Sequence, residues 1–560
     1  MKIFLAQQNY HIGNFESNTQ KIIAVIEDAK KQGADLVVFS ELSICGYPPR
    51  DFLYFNNFID QCYQAIDTIK NFADGIAVLV GAPHKNSLPE GKDLFNAAWF
   101  LADKEVIQVI HKTCLPTYDV FDENRYFEPA TEWNVVEWKG TKIAVTICED
   151  IWNLGSNPLY RHCPMDMLML QQPDVMINIS ASPFDYTHDA DRQATVKANV
   201  LKYGIPMFYC NAVGSQTEIV FDGTSLVFDK NANLCGKLAS FKEDSKIFTL
   251  HLDGTIEGEI LEPAHQLPNA EMNPAGLEPS SNIKQVYTAL IMGIGDYFTK
   301  MGFAKAILGS SGGIDSAVTL VLACQALGNK NVKAVLLPSE YSTGHSIADA
   351  EQLSQNLKNS YEIIPIKNIY DSFLNELKPI FKDLPFGIAE ENIQSRTRGN
   401  LLMAIANKFG YILLNTSNKS ELATGYGTLY GDMAGGLSVL GDCYKLQVYE
   451  LAKYINRHAE IIPANILTKA PSAELRPGQK DSDSLPDYAV LDKLLYQYIE
   501  QAKGPEEIKA VGFDAVLVDR VLKMVNINEY KRNQFCPIIR ISSKAFGVGR
   551  RVPIVGKYLS

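Results

Sequence analysis

The 560-residue sequence lacks any run of about 18 uncharged apolar residues, which argues against a membrane-spanning helix. Its first residues, MKIFLAQQNYHIGNF, lack the basic segment, the long apolar segment and the small-residue cleavage site of a secretory signal. These two absences predict a soluble, cytoplasmic protein.

Basic residues are also in deficit. The sequence has 52 Lys and Arg against 64 Asp and Glu, which gives a formal net charge of −12. Nonspecific affinity for nucleic acids and anionic membranes comes mainly from clustered Lys and Arg. The sequence therefore predicts neither of these partners, and any anionic ligand must be held by local groups.

The ten cysteines lack CxxC and CxxxC spacing. In a large chain without an export signal, this scatter predicts reduced thiols and argues against a zinc site. The sequence also shows no internal repeat and no low-complexity tract.

The length is too great for one hydrophobic core and predicts two α/β domains. In residues 1–265, short apolar runs alternate with amphipathic stretches, which predicts sheets flanked by helices. Residues 262–282 are rich in Pro, Asn and Ser and show no apolar period, so we place a linker at 266–282. Residues 283–560 alternate helix and strand, which predicts a doubly wound parallel sheet with ligands at the carboxyl ends of its strands.

Three predicted strands in the first half each end in an unusual polar group. Glu41 follows DLVVFS, Lys112 follows VIQVIH, and Cys148 follows IAVTI. A cysteine amidohydrolase needs a thiol that loses its proton, a carboxylate that takes it, and a cation that favours the thiolate. Cys148 alone also fits a buried free cysteine, because this residue type is among the most buried.

The sequences around these residues resemble the nitrilase superfamily. They read FSELSICGYPPRD, HKTCLPTYDVFDENRYF and ICEDIW, and within the superfamily they are most similar to the glutaminase domain of the glutamine-dependent NAD synthetases. The resemblance implies an αββα sandwich over residues 1–265. It also implies that Cys148 attacks the side-chain amide of glutamine, that Glu41 shuttles protons, and that Lys112 stabilises the tetrahedral oxyanion.

The same resemblance suggests which residues hold glutamine. Tyr118 in KTCLPTYDVF and Ser182 in NISASPF match residues that contact glutamine in the family. Where the family pattern carries Lys or Arg, this chain reads SPFDYTH with His188, whose charge near neutral pH is conditional. Either His188 or Arg192, four residues later, is then the cation for the glutamine carboxylate.

The second half opens its predicted sheet with AKAILGSSGGIDSAVTLVLACQAL, a strand, a glycine-containing loop and a helix. Gly312 and Gly313 let backbone N–H groups approach a phosphate, Ser311 and Ser316 add hydroxyl donors, and the helix directs its N-terminus at the anion. The stretch lacks GxxxxGK[ST], so it is not a Walker loop. A bare SGG also fits an ordinary turn and helix cap.

The complete SGGxDS resembles the pyrophosphate-binding loop of the N-type ATP pyrophosphatases, which cleave ATP between its α and β phosphates. Residues 390–436, residues 470–492 and the stretch EYKRNQFCPIIRISSKAFGVGRRVPI are similar to the synthetase half of the NAD synthetases. The resemblance implies that ATP is bound by Gly309, Ser310, Ser311, Gly312, Gly313, Ile314, Asp315, Ser316 and Thr416.

The resemblance further implies that Asn392, Glu421 and Lys531 contact deamido-NAD and that Asp315 and Glu421 hold Mg²⁺. Glu421 also fits a capping box, because Asn418-Lys419-Ser420-Glu421 is typical of a helix start. An enzyme that cleaves ATP must offset phosphate charge with a metal, which favours the metal role. Three cations, Lys445, Lys531 and Arg532, are also expected to contact phosphate or ribose groups.

The two resemblances together imply a two-step synthesis. The nicotinate carboxylate of deamido-NAD is activated as an acyl-adenylate with release of pyrophosphate, and ammonia from glutamine then displaces AMP to give NAD⁺. Because the nucleophile must be neutral NH₃, a fused ammonia source implies an enclosed passage between the domains. The implied partners are glutamine, ATP, deamido-NAD and further copies of the chain in a homo-oligomer.

Three alternatives remain open at this point. Other glutamine-using ATP pyrophosphatases, such as those that make GMP or asparagine, share SGGxDS but pair it with unrelated glutaminase domains. A noncatalytic adenine-nucleotide module of the electron-transfer flavoprotein kind has a related fold, and SGGIDS together with Asp315 and Glu421 argues against it. The third alternative is that the first domain has only a structural role and that the enzyme uses free ammonia.

Overall fold

The structure is a computed structural model that describes residues 1–155, 158–257 and 277–559, with the side chains of residues 188 and 189 left out. The chain divides into two compact units, Met1–Asn269 and Ala270–Ser560. Of the predicted linker, residues 266–276 lie outside the described residues. In the part of the chain that is described, no helix has both the length and the apolar character to cross a membrane.

The first unit contains two sheets. The order of strands is β15-β14-β1-β2-β3-β4-β5 in one sheet and β13-β12-β9-β8-β7-β6 in the other, and β10 pairs with β11. The strands are β1 Lys2–Gln7, β2 Leu36–Val38, β3 Ala77–Lys85, β4 Leu94–Ala102, β5 Glu105–His111, β6 Val136–Trp138, β7 Thr141–Ile147, β8 Val175–Ser180, β9 Met207–Asn211, β10 Val213–Gln216, β11 Ile219–Asp222, β12 Leu226–Phe228, β13 Leu234–Lys237, β14 Asp244–Leu250 and β15 Ile256–Glu257.

Helices cover the outer faces of both sheets. They are α1 Phe15–Lys31 and α2 Asn56–Lys70 on the first sheet, and α3 Pro164–Leu168 and α4 His188–Tyr203 on the second. Side chains alternate along each strand, so β1 directs Ile3 and Leu5 toward the second sheet and Phe4 toward α1 and α2. This is the predicted αββα sandwich, with both faces of each sheet buried.

Strand direction brings polar groups to shared edges of this sandwich. In the first sheet β2 runs parallel to β3, and β5 regains that direction after two antiparallel pairings through β4. In the second sheet β7, β8 and β9 are parallel. The carboxyl ends of β2 and β5 therefore lie at one edge, and those of β7 and β8 at another.

The second unit is built on a parallel sheet of order β18-β17-β16-β19-β20. Its strands are β16 Ala306–Gly309, β17 Val332–Leu336, β18 Ser360–Ile363, β19 Ile412–Asn415 and β20 Leu437–Ser438. The chain order reverses between β16 and β19, so the predicted doubly wound sheet is confirmed. A ligand crevice is expected where the order reverses, beyond the carboxyl ends of these strands.

The helices of the second unit surround this sheet and extend beyond it. They are α5 Ile283–Met301, α6 Ile314–Leu327, α7 Gly344–Leu357, α8 Lys367–Phe381, α9 Ile388–Phe409, α10 Lys419–Thr424, α11 Lys445–Ile455, α12 Ala464–Thr468, α13 Tyr488–Ile499, α14 Pro505–Ala510, α15 Ala515–Ile527 and α16 Glu529–Arg532. A separate apolar cluster of α13, α14 and α15 packs behind α10. The N-termini of α6, α10 and α11 face the ligand crevice.

Candidate active sites

Glu41 and Lys112 meet in the interior of the first unit. Lys112 Nζ lies 2.7 Å from Glu41 Oε1, and both side chains are fully buried. The other oxygen, Glu41 Oε2, accepts the backbone N–H of Ala181 at 3.0 Å. Two of the three residues predicted at strand ends are therefore in direct contact.

A second carboxylate, which strand-end reasoning missed, completes this cluster. Lys112 Nζ lies 2.7 and 2.8 Å from the two oxygens of Glu123. Burial raises the pKa of Glu123 to about 7, against the opposing effect of the Lys112 ammonium. For Lys112 the charges of Glu123 and Glu41 outweigh burial and raise the pKa, so it remains an ammonium.

Cys148 is the first residue after β7 and begins a short 3₁₀ turn, Cys148–Ile151. Its φ of 45° is in the left-handed region, which a residue with a Cβ adopts only under strain. Burial and the Glu41 carboxylate raise the pKa of the Cys148 thiol well above its ordinary value, and Lys112 only partly offsets them. A thiol with a raised pKa is protonated near neutral pH, so Cys148 needs a base to take its proton.

The two acidic residues that follow Cys148 have separate roles. Asp150 accepts the backbone N–H groups of Thr113 at 3.0 Å, Cys114 at 2.8 Å and Ile147 at 3.0 Å. It thereby ties the Cys148 turn to the segment that follows Lys112, and sequence spacing alone did not show this.

Glu149 lies close enough to Cys148 and Lys112 to interact electrostatically with both. The hydroxyl of Tyr118 donates to it at 2.9 Å and that of Tyr160 at 3.2 Å. Tyr118, predicted to contact glutamine, is about half exposed and so remains accessible. No local pattern distinguishes Glu149 from its neighbours in the sequence.

The remaining predicted glutamine ligands lie after β8, in the following loop and in α4. Ser182 is buried, and its backbone N–H donates to Asn211 Oδ1 at 2.8 Å. His188 is the first residue of α4, and its side chain lies outside the described part of the structure. The alternative cation, Arg192, is fully buried in an ion pair with Asp222 at 2.6 Å.

In the second unit, the glycine-containing loop joins β16 to α6. The backbone N–H of Gly313 donates to Ser311 Oγ at 3.2 Å, and Ser316 Oγ donates to the Gly313 carbonyl at 3.0 Å. Gly312 has a φ of 75°, and a Cβ there would lie 2.2 Å from the carbonyl oxygen of Ser346. The loop therefore has no room for a side chain at Gly312.

Carboxylates and one ammonium lie beside this loop. Lys445 Nζ lies 2.5 Å from Asp315 Oδ2 and 3.5 Å from Glu421 Oε1. Asn418 Nδ2 donates to Asp315 Oδ1 at 2.9 Å, and the Asn418 backbone N–H donates to Glu421 Oε2 at 3.2 Å. The capping box is thus present and uses one oxygen of Glu421, while the other oxygen lies toward Lys445.

A cavity of about 280 Å³ opens at this point. All nine residues predicted to bind ATP border it, together with Glu421, Asp481 and Lys445. Burial and the neighbouring Asp315 raise the pKa of Glu421 to about 8. This indicates an excess of negative charge that a bound polyphosphate would increase.

The donor set of this cavity fits a magnesium ion. Among the described residues, no group of three or more His, Cys, Asp or Glu is arranged to hold a metal. Mg²⁺ usually binds through one or two carboxylates and the phosphates of the substrate, which matches the pair Asp315 and Glu421.

Two of the residues predicted to contact deamido-NAD lie around one loop, 425–428. Lys531 Nζ donates to the carbonyls of Gly425 at 2.8 Å and Gly427 at 2.9 Å, and Asn392 Oδ1 accepts from the Thr428 hydroxyl at 2.8 Å. Neither Asn392 nor Lys531 borders the cavity described above.

Arg532, predicted as a possible phosphate contact, is buried. It donates to the carbonyls of Leu422 and Ala423 at the end of α10 and forms an ion pair with Glu529 at 2.8 Å. The structure therefore gives it a stabilising position behind α10 rather than a place in the cavity.

The start of α10 is held by a buried ion cluster. Lys419 Nζ lies 2.9 Å from both Asp442 Oδ1 and Glu500 Oε1, and it donates to Ser542 Oγ at 2.8 Å. Asp442 also accepts the backbone N–H groups of Ile541 and Ser542 at 2.7 Å. The segment around residue 542 thereby supports the helix that carries Glu421.

Two family profiles match the chain. The carbon-nitrogen hydrolase family matches residues 2–258, and the NAD synthase family matches residues 286–535. Each match falls in one of the two compact units.

Several full-length relatives share one description. A glutamine-dependent NAD(+) synthetase from Synechocystis sp. is 42% identical and the alignment covers 99% of this chain and 98% of the relative. One from Thermotoga maritima is 40% identical, with coverage of 100% and 99%.

Solved structures agree with these relatives. The structure of a glutamine-dependent NAD+ synthetase from Acinetobacter baumannii in complex with ADP has a TM-score of 0.76 and 38% identity, covering 99% of this chain and 98% of that chain. Another, from Cytophaga hutchinsonii, has a TM-score of 0.81 at 18% identity with the same coverage, a likeness that supports the fold alone.

Proposed function

Because this chain belongs to the glutamine-dependent NAD(+) synthetase family, we propose that Cys148, Glu41 and Lys112 release ammonia from glutamine and that the cavity beside the SGGIDS loop uses it to amidate deamido-NAD. The observation that carries the proposal is the buried contact of Glu41 with Lys112 beside a cysteine held at φ 45°. A purely structural domain has no need of a buried carboxylate–ammonium pair next to a strained thiol.

The proposed glutaminase reaction begins with a neutral thiol. Glu41 takes the proton of Cys148 as sulfur attacks the side-chain carbonyl carbon of glutamine, and Lys112 donates to the resulting oxyanion. The intermediate collapses to a thioester as the C–N bond breaks, and Glu41 returns the proton to the departing ammonia. Water, deprotonated by Glu41, then hydrolyses the thioester to glutamate and regenerates the thiol.

The charge around this site suits an amino acid substrate. Glu149, with Tyr118 and Tyr160 donating to it, attracts the α-ammonium group of glutamine. Tyr118 and Ser182 are the proposed hydrogen-bonding contacts. His188 supplies the cation for the α-carboxylate, since Arg192 is already engaged with Asp222.

In the synthetase reaction, an oxygen of the nicotinate carboxylate attacks the α-phosphorus of ATP and pyrophosphate leaves. Ammonia then adds to the carbonyl carbon of the acyl-adenylate, AMP leaves, and a proton is lost to give NAD⁺. The proposed contacts for the phosphates are Ser311 and Ser316 with the backbone N–H groups of the loop. Asn392, Glu421 and Lys531 contact deamido-NAD.

Asp315 and Glu421 are the residues that would hold Mg²⁺. The ion, when bound, offsets the negative charge of the phosphates as pyrophosphate departs. Lys445, whose pKa is raised because Asp315 and Glu421 outweigh its burial, keeps its positive charge beside them.

Membership of the family supports three broader proposals. The glutaminase domain extends over residues 1–265 and the synthetase domain over 283–560, limits that enclose the two profile matches. The protein is a cytoplasmic homo-oligomer. Its partners are small molecules, namely glutamine, ATP and deamido-NAD.

Cys148→Ala tests the proposal. Loss of the nucleophile should abolish glutamine-supported NAD⁺ formation while synthesis from high ammonium continues, measured as NAD⁺ and pyrophosphate released from ATP and deamido-NAD. Cys62→Ala, at a fully buried cysteine in α2, is the matched control and should retain both activities. Equal loss with both nitrogen donors in Cys148→Ala would contradict the assignment.

A further inference from the structure

The hydrogen bonds of Lys112 leave no donor for a substrate. An ammonium group has three N–H bonds, and Lys112 Nζ has contacts to Glu41 Oε1 at 2.7 Å and to the two oxygens of Glu123 at 2.7 and 2.8 Å. To stabilise the oxyanion of the tetrahedral intermediate, Lys112 must release one of these carboxylate oxygens. Something else must then hold the buried carboxylate that has lost its partner.

Two neutral donors already contact the same carboxylates. Asn96, on β4 and fully buried, donates from Nδ2 to Glu41 Oε1 at 2.7 Å and to Glu123 Oε2 at 3.2 Å. The Tyr47 hydroxyl donates to Glu123 Oε1 at 2.9 Å. Each oxygen of Glu123 therefore has one neutral donor in addition to Lys112.

The orientation of the Asn96 amide follows from its surroundings. Its oxygen, Oδ1, has no hydrogen-bond partner among the described residues. The opposite orientation would set that oxygen against the oxygens of Glu41 and Glu123, so the nitrogen must face the carboxylates. A buried amide that leaves its oxygen unpaired in order to donate twice is suited to holding two anions.

We propose that Asn96 and Tyr47 are positioning residues of the glutaminase site, which hold Glu123 and Glu41 in place while Lys112 turns one N–H to the oxyanion. The proposal rests on the proposed function, because it takes Cys148, Glu41 and Lys112 as the reacting groups. Asn96 and Tyr47 do not touch the substrate in this scheme. They act through the two glutamates.

The electrostatics of the cluster make the role of these donors measurable. The cluster contains one ammonium, Lys112, and two carboxylates, Glu41 and Glu123. Four further ionisable groups interact electrostatically with members of this cluster or with the Cys148 thiol. They are Tyr47, Cys148 itself, Glu149 and Asp150. The pKa of Glu123 is about 7. A hydrogen bond donated to a carboxylate favours its charged form, so removal of a donor raises the pKa of Glu123 and leaves it protonated at higher pH.

Tyr47→Phe is the first variant of the test, because it removes one hydroxyl and keeps the ring. The kcat for glutamine hydrolysis should fall about ten- to a hundredfold, the effect of one hydrogen bond to a charged group. The acidic limb of its pH profile should move to higher pH by about one unit. The KM for glutamine should change little, because Tyr47 does not contact the substrate. Tyr63→Phe, which loses a hydroxyl that accepts the Lys85 N–H, is the control and should keep the wild-type profile.

Two near-isosteric changes at Asn96 give the sharper contrast. Asn96→Leu removes both donors, so its rate relative to wild type should fall as the pH decreases and Glu123 becomes protonated. Asn96→Asp supplies a donor only while the new carboxyl is protonated, so its relative rate should fall as the pH increases. Asn18→Leu, which loses amide bonds to the His11 and Ile44 carbonyls, is the control and should show neither trend.

Each glutamine-supported rate is divided by the ammonium-supported rate of the same preparation, and thermal melting checks that each variant is folded. Opposite pH trends for Asn96→Leu and Asn96→Asp support the proposal, and a loss that is equal and independent of pH in both overturns it. Where the Asn96 variants melt below the assay temperature, the pH profile of Tyr47→Phe decides alone. Glutamine-supported synthesis that survives in Cys148→Ala would instead refute the proposed function.

Discussion

At the scale of single residues, the two oxygens of Glu421 serve different neighbours. Oε2 accepts the backbone N–H of Asn418 and caps α10, while Oε1 faces Lys445 and the ATP cavity. The sequence pattern indicated either a capping box or a metal ligand. The geometry allows both because a carboxylate has two oxygens that can point in different directions.

Substitutions at Glu421 can separate these two roles. Glu421→Gln keeps an oxygen to accept the cap but loses the charge, so ammonium-supported synthesis should fall by at least a hundredfold while the melting temperature stays within about 1 °C. Glu421→Ala also loses the cap, worth about 1 kcal/mol, and should lower the melting temperature by a further 2–4 °C or so.

Glu507→Gln is the matched control for this pair, because Glu507 accepts the Gly504 N–H at the start of α14 as Glu421 accepts the Asn418 N–H at the start of α10. It should leave synthesis unchanged. Full activity in Glu421→Gln would show that the residue serves only as a cap.

Residues at strand ends were predictable, and those delivered by loops were not. Glu41, Lys112 and Cys148 each follow an apolar run, so the strand pattern itself pointed to them. Glu123 lies in a short 3₁₀ turn within a loop, and no local pattern distinguishes it from other acidic loop residues. Its role depends on a contact with Lys112 that appears only in three dimensions.

At the scale of elements, the β16–loop–α6 unit depends on one backbone conformation. Gly312 adopts φ 75° and lies against the Ser346 carbonyl at the start of α7. The backbone of a helix start cannot shift as easily as a flexible side chain, so the loop itself would have to move if a side chain were added. The loop N–H groups that we propose as phosphate contacts would move with it.

Gly312→Ala should therefore reduce ammonium-supported synthesis by about a hundredfold, the effect of a displacement of about 1 Å. Gly302→Ala is the matched control, because Gly302 has a φ of 72° and nothing within 4 Å of the added Cβ. It should lose about 1–2 kcal/mol of stability from backbone strain and keep its activity. Similar activities in the two variants would contradict a role of the loop in ATP binding.

Helix starts were the least predictable elements. Apolar periodicity indicated a helix from residue 18, whereas α1 begins at Phe15, where the Asn14 side chain accepts the Ser17 N–H. Apolar periodicity over residues 191–203 likewise predicts a helix from residue 191, whereas α4 begins at His188. At α1 the difference arises because a side-chain cap fixes the first turn, and a cap residue carries no apolar period.

At the scale of the whole molecule, one chain combines a source of ammonia with its consumer. The reaction at the acyl-adenylate needs neutral NH₃, since the ammonium ion has no lone pair. Near neutral pH most ammonia in bulk water is protonated. When glutamine is the donor, ammonia is released by the protein itself. It does not first have to be drawn from the protonated ammonium of bulk water.

The two nitrogen donors should therefore differ in their dependence on pH. With ammonium salts, the rate of NAD⁺ formation should rise with pH in proportion to the NH₃ fraction. With glutamine at saturation the rise should be clearly shallower, and Cys148→Ala should follow only the ammonium curve. Identical slopes for the two donors would show that glutamine-derived ammonia equilibrates with solvent before it reacts.

The architecture of each half was predictable because both rest on regular alternation of apolar runs. In the sequence, parallel strands that are buried on both faces appear as short segments rich in β-branched residues. The order of strand, loop and helix from β16 to α6 indicates a parallel sheet in the second unit. The placement of Asn392 and Lys531 around loop 425–428 was not predictable, because it depends on how α9, α10 and α16 meet. The contact of Asn392 joins positions 36 residues apart and that of Lys531 joins positions 106 residues apart.

The buried Lys419 cluster also sets an order of events during synthesis on the ribosome. Ser542, which contacts Lys419, is translated 123 residues after it. At about 5–20 residues per second, the nascent chain carries Lys419 for about 6–25 seconds before that partner exists. Until then Asp442 and Glu500 are the ion-pair partners that Lys419 can have, and the start of α10 lacks the part of its support that the segment around residue 542 supplies.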